Sequence, residues 1–271
     1  MRQMITEAVG RFVKDYEERP GIATRWGEPI VGFCDAKSSA VENLKQAVSL
    51  NHLMPQDLLA DASVVVVYYL PFAKVIAETN REGTAASPEW ARAYSETNEL
   101  FAELNVHLVE LIERNGGKAK LPGPAAGFSG DLLISNWSHR HFAVLAGLGT
   151  FGVNNMLITR MGCCGRVSSF AASIPVEPDV PLREELCLYK QKGTCGKCFE
   201  RCPAGALSPD GFDRQRCFAV CMENEAVYPG CDVCGKCGVG VPCTFFGRLK
   251  NNSFGCLRKS EIKILKTVLY K

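Results

Sequence analysis

The sequence predicts an α+β protein: an α/β sandwich over residues 1–180, a cysteine-built module over 181–245, and a basic tail over 246–271. Three observations predict it. Apolar residues recur at helical spacing near the start and again from 88 to 115. The run SVVVVYYL (63–70) is β-branched, aromatic and too uniformly apolar to be half exposed, so it reads as a strand covered on both faces. Finally, 11 of the 14 cysteines fall between Cys187 and Cys256.

The elements follow in order. Met4, Ile5, Ala8, Val9, Phe12, Val13 and Tyr16 put a helix over 3–18, stopped by Arg19-Pro20-Gly21. IVGFCD (30–35) reads as a short strand in which Cys34 is a small buried apolar residue. Pro55 opens a helical turn through Asp57, and the strand of 63–70 ends at Pro71. Ser87 as cap, Pro88 at the first position and Asn115-Gly116-Gly117 as the stop frame one long helix. Lys118–Leu121 fits an edge strand, and Pro122-Gly123-Pro124 opens a loop. Ser138 caps a helix that halts at Gly147. Residues 155–159 and 167–174 read as strands, and Pro175, Pro178 and Pro181 mark the boundary with the cysteine module.

With 46% apolar residues in a chain of 271, there is ample material for a core. A net charge of +2 asks for neither a nucleic-acid nor a membrane partner, and no apolar run approaches the roughly 20 residues a spanning helix needs. The start, MRQMITEAVGRF, is an amphipathic helix rather than a secretory signal, so a cytoplasmic location is expected.

The cysteine pattern carries the chemistry. Cys195-Gly-Lys-Cys198-Phe-Glu-Arg-Cys202-Pro203 is followed, about thirty residues on, by Cys231-Asp-Val-Cys234-Gly-Lys-Cys237. Two cysteines two residues apart can face one metal centre, while a cysteine followed by Pro is diverted to another, as in bacterial two-cluster ferredoxins. Two [4Fe–4S] clusters are expected. A zinc ribbon would need no Cys-Pro, and a disulfide framework suits short secreted chains. The leading cysteine of the ferredoxin run is replaced by Lys192, with Cys187 as its substitute after the Gly193 turn. The expected sets are Cys187, Cys195, Cys198 and Cys237 for one cluster, and Cys202, Cys217, Cys231 and Cys234 for the other. Cys243 competes with Cys237, and Cys221 with Cys217.

Other motifs are weaker. Gly147-Leu-Gly149-Thr-Phe-Gly152 matches GxGxxG, but it follows a helix, and no acid stands near position 172. It reads as a helix stop and turn, or as backbone approaching a bulky cofactor. His139 and His141, two apart on a helix, point in nearly opposite directions, which gives one exposed and one packed imidazole. Cys163 and Cys164 read as structural. Asp131, in GFSGD, is the sole candidate proton donor.

Together, AGLGTFG (146–152) and the dicluster stretch through GCDVCGKC (230–237) resemble the epoxyqueuosine reductase family, which is related to the reductive dehalogenases. The resemblance covers about residues 25–245. It implies a nitroreductase-like domain that binds cobalamin, with Gly147, Gly149, Gly152 and Asn154 near the corrin, fed by the cluster module. It also favours Cys217 over Cys221. The family's proton-donating Asp falls at Leu133, with Asp131 nearby. The family's tRNA-holding helical repeats would lie beyond residue 271, so a small-molecule substrate is expected. The expected protein is a reductase taking electrons from a ferredoxin- or flavodoxin-type carrier through two clusters to a cobalamin-like cofactor. The alternative is a non-catalytic two-cluster carrier whose N-terminal domain docks a partner. The basic tail reads as a solvated terminal element, or as a face for an acidic donor.

Overall fold

The computed structural model describes residues 1–123 and 126–246. All but the first residue of the expected tail, and with it the expected donor-docking face, lies outside the described residues. Helix α1 (Arg2–Glu17) buries Ile5, Val9, Val13 and Tyr16 on one stripe. Strand β1 (Ile30–Asp35) leads to three single-turn helices, α2 (Ser39–Glu42), α3 (Leu44–Ala47) and α4 (Pro55–Leu58). Strand β2 (Val64–Pro71) is buried at every position, and α5 (Lys74–Thr79) follows it. Helix α6 (Pro88–Arg114) has 27 residues, about 40 Å of length. Ser87 caps it by accepting from the Trp90 N–H, and Pro88 stands where no N–H is required.

The chain continues through β3 (Lys118–Lys120), the hairpin β4 (Phe128–Ser129) and β5 (Ile134–Ser135), and helix α7 (His139–Leu145). A second hairpin, β6 (Gly149–Phe151) and β7 (Leu157–Thr159), precedes the long strand β8 (Gly165–Ser173). The cysteine-rich stretch forms α8 (Leu188–Lys192), α9 (Lys197–Arg201), the short hairpin β9 (Leu207–Ser208) and β10 (Gly211–Phe212), helix α10 (Arg214–Val227), and a 3₁₀ turn at Lys236–Gly238.

One four-stranded antiparallel sheet, in the order β1-β2-β8-β3, organises the N-terminal part. Its two faces are both covered. Val64, Val66, Tyr68 and Leu70 pack beneath α1 and α6. Val65, Val67 and Tyr69 face α7, Trp137 and Leu148 on the other side. Alternate side chains of a strand point to opposite faces, so a strand between two covered faces must be apolar throughout. Each such side chain contributes roughly 1.5–3 kcal/mol by leaving water. Strand β8 pairs with β2 from Gly165 to Ala172 but with β3 only at Ala171, Ala172 and Ser173. Its first half, which carries Arg166, reaches past β3 toward the cysteine-rich stretch.

The GLGTFG segment closes α7 and opens strand β6, the helix stop and turn expected, and presents no helix N-terminus to a phosphate. One expectation changes here. His139 and His141 are both half-buried rather than one exposed and one packed, because residues from other elements close over each side of the short helix α7.

Candidate metal centre and adjoining recess

Cysteines gather where α8, α9, α10 and the 3₁₀ turn meet. Cys187 precedes α8, and Gly193 closes that helix in the left-handed conformation (φ +67°), which brings the chain back to Cys195. Cys187, Cys195, Cys198 and Cys243 line one small apolar cavity together with Val153 and Ile158. Burial, then the neighbouring Cys243, Cys187 and Cys195, push the Cys198 thiol up to about 11. The Cys237 thiol is raised by burial and then by Cys234, Cys217, Cys202 and Cys198. Cys202 Sγ accepts from the Ala206 N–H at 3.3 Å. On α10, Cys217 and Cys221 stand one turn apart. The Cys221 thiol donates to Cys217 and, with the Arg140 guanidinium, pulls Cys217 down. Among the described residues, no three Cys, His, Asp or Glu side chains close on a single metal ion.

Cys243, the expected competitor of Cys237, lines the cavity with Cys187, Cys195 and Cys198, where the Val241–Thr244 turn folds back over Cys198. Cys231 is buried, and burial first, then Asp232 and Glu225, raise its thiol against the opposing Arg166. Cys163, expected to be structural, has its Sγ 3.9 Å from Cys243 Sγ, and both Cys163 and Cys164 donate to the Gly238 carbonyl.

The glycines expected near a corrin pack instead against the protein itself. A Cβ on Gly147 would lie 2.3 Å from the Val180 carbonyl, one on Gly149 2.2 Å from that of Ile158, and one on Gly152 2.4 Å from Asn154 Oδ1. Asn154 donates to the Cys237 carbonyl at 3.1 Å and accepts from the Met156 N–H. The missing side chains are explained at Gly147 and Gly149 by close approach of backbone to backbone, and at Gly152 by the Asn154 side chain. This cradle is filled, and the segment does not fit a corrin contact.

A network of polar side chains lies near Cys217, where the Arg140 guanidinium reaches. Trp137 Nε1 donates to Ser169 Oγ at 3.0 Å, and Ser169 Oγ lies 2.8 Å from His139 Nδ1. His141 Nδ1 stands 2.7 Å from Ser138 Oγ. Burial first, and then the nearby arginines, hold His139 at about 4. Burial and Arg140 likewise bring His141 to about 4, so both imidazoles are neutral at pH 7. Arg140 donates to the Asn155 carbonyl. Arg166 lies 3.9 Å over the Tyr94 ring and donates to Asn98 Oδ1 at 2.9 Å, while its buried Nη1 has no partner among the described residues. Tyr94 donates in turn to Asp232. Asp131 is exposed between β4 and β5. Arg140, Arg166, Trp137 and Ser169 were not singled out from the sequence. A charged residue inside the otherwise small and apolar run GRVSSFAAS was the signal for Arg166.

No family model matches the chain. Among curated proteins, an epoxyqueuosine reductase of Bacillus subtilis is 34% identical over 112 residues, covering 36% of this chain and 27% of that protein. That of Bacillus anthracis is 25% identical over 201 residues, covering 66% and 48%. The chain thus spans about a quarter to a half of the curated relatives it matches. Among solved structures, the catabolic reductive dehalogenase NpRdhA aligns with a TM-score of 0.51 at 19% identity, over 77% of this chain and 28% of that one. An epoxyqueuosine reductase with a tRNA-Tyr epoxyqueuosine-modified stem loop aligns with a TM-score of 0.50 at 20% identity, over 88% and 64%. These two are likenesses of fold. By sequence the chain is similar to the epoxyqueuosine reductases over part of their length, and its mixed α/β fold is like that of the solved reductive dehalogenase.

Proposed function

We propose that this chain is an iron–sulfur reductase, with a ferredoxin-like two-cluster module over 181–245 serving the α/β domain over 1–180. The observation that carries it is the cavity that Cys187, Cys195, Cys198 and Cys243 line together, with the thiol of Cys237 raised by the nearby Cys234, Cys217 and Cys202. Cys187, Cys195, Cys198 and Cys243 would hold one [4Fe–4S] cluster, and Cys202, Cys217, Cys234 and Cys237 the other. Thiolates around space rather than around a point suit a cluster better than a single zinc. The clusters would supply one-electron storage and relay.

The chain's own residues then shape the acceptor side. Arg140 acts on Cys217, and Arg166 Nη1 and the two neutral imidazoles would supply the hydrogen-bonding groups of a recess that orients an acceptor. Trp137 and Ser169 fix His139, so its ring is held rather than free to rotate. The acceptor is a small organic molecule or a bound cofactor, and the electron donor a small reduced carrier of ferredoxin or flavodoxin type. A second reading, a two-cluster electron carrier without catalysis, is favoured by the closed glycine segment.

Anaerobic purification with iron and sulfide analysis, followed by a cobalamin titration read by absorbance and EPR, separates these. About eight irons and eight sulfides per chain are expected. Stoichiometric cobalamin binding would identify a corrinoid reductase. Eight irons with no cobalamin bound favours the carrier, or a reductase with another acceptor. Far fewer irons would sink both.

A further inference from the structure

Lys236 is 1% exposed, and lysines reach such burial only when the ammonium is held. It stands between Cys234 and Cys237, and its Nζ donates to the carbonyls of Asn80 at 3.0 Å and Glu82 at 2.6 Å. Both acceptors are neutral, so neither cancels the charge. Asn80 is itself fully buried; its amide donates to the Cys234 carbonyl at 3.0 Å and its Oδ1 accepts from the Ser87 N–H. The lysine is therefore locked to the turn that carries two thiols. The nearest other charges are Arg201, which donates to the Val239 carbonyl at 3.1 Å, and Glu82, whose carboxylate is solvated. The balance around Cys234 and Cys237 is positive.

A cation in a poorly polarisable site favours whichever state of its neighbour is more negative. We propose that Lys236 is a positioning residue that raises the reduction potential of the centre held by Cys202, Cys217, Cys234 and Cys237. This rests on the cluster reading above. The step is a one-electron reduction: the centre gains one electron and one unit of negative charge, no bond breaks, and Lys236 keeps its protons. The consequence is directional. The centre with the buried lysine is the one whose Cys217 lies beside the recess, so electrons run downhill toward the acceptor side.

The test uses the full chain, purified anaerobically, as wild type, Lys236→Met, Lys236→Gln and Lys236→Arg. Iron and sulfide are counted first, and then each form is titrated potentiometrically with EPR detection. The two uncharged variants are expected to keep about eight irons and to lower the midpoint potential of one centre while leaving the other in place. Lys236→Arg should restore it. Unchanged potentials at full iron content would overturn the assignment. So would loss of iron from both uncharged variants with retention in Lys236→Arg, which would make the lysine a structural clamp. Fewer than about eight irons in the wild type would instead overturn the cluster reading beneath it.

Discussion

The Cys237 thiol is raised by burial and by four other thiols, Cys234, Cys217, Cys202 and Cys198, whereas that of Cys231, six residues earlier, is raised by burial, Asp232 and Glu225; we assign Cys237 rather than Cys231 to the second centre. Cys237→Ala is therefore expected to remove about four irons, and Cys231→Ala to keep all eight while costing about 1 kcal/mol of packing. Iron analysis of the two variants decides the ligand set. The Cys163–Cys243 separation of 3.9 Å makes a further outcome readable. After iron removal and mild peroxide treatment, peptide mapping should find this pair joined, with both thiols oxidised and peroxide reduced to water. The two histidines set a pH dependence. His139 and His141 titrate near 4 in the folded chain, against about 6.5 unfolded. Below about pH 6.5 the unfolded chain binds the extra protons, so stability is full above that pH and falls as pH drops toward 4. Roughly 1–3 kcal/mol per imidazole is at stake, and His139→Gln should flatten the denaturation profile over that window.

At the scale of elements, β2 and α6 were legible because a single local cause sets each: uniform apolarity for the one, and Ser87, Pro88 and the glycine stop for the other. Helix α10 was not. Its apolar residues fall on no stripe, and only Asn224 is buried, since it rests on the module by its cysteines rather than by an apolar face. The pairing of Cys243 with Cys198 was equally out of reach, because it depends on where the turn at 241–244 folds. The β6–β7 hairpin shows the same limit. The glycines leading into and through it looked like a cofactor cradle, yet Gly147 and Gly149 answer backbone carbonyls and Gly152 the Asn154 side chain. Gly149→Ala should thus destabilise the whole chain by roughly 1–3 kcal/mol in a denaturant titration, since the added methyl meets the Ile158 carbonyl. Loss of cobalamin binding without loss of stability would restore the cradle.

At the scale of the molecule, the cysteine-rich stretch is clamped to the α/β part by side chains from both. Trp90 of α6 packs so closely on Gly235 that a Cβ there would lie 2.3 Å from its ring. Asn224 of α10 accepts from the Ala86 N–H at 2.8 Å, Lys236 ties the turn at Asn80 and Glu82, and the Phe128 and Phe218 rings meet at 5.9 Å. A cluster site is also part of the fold that surrounds it, because its thiolates have no other reason to converge. Removing iron under reducing conditions should for these reasons loosen more than the cysteine-rich stretch. Calorimetry of the loaded chain is expected to show one transition. After anaerobic chelation its midpoint should fall, and Trp90 should lose hydrogen-exchange protection along with α10. An α/β part that keeps its melting temperature and its protection at Trp90 after chelation would mean that the two parts fold independently, and that the clamp contributes little.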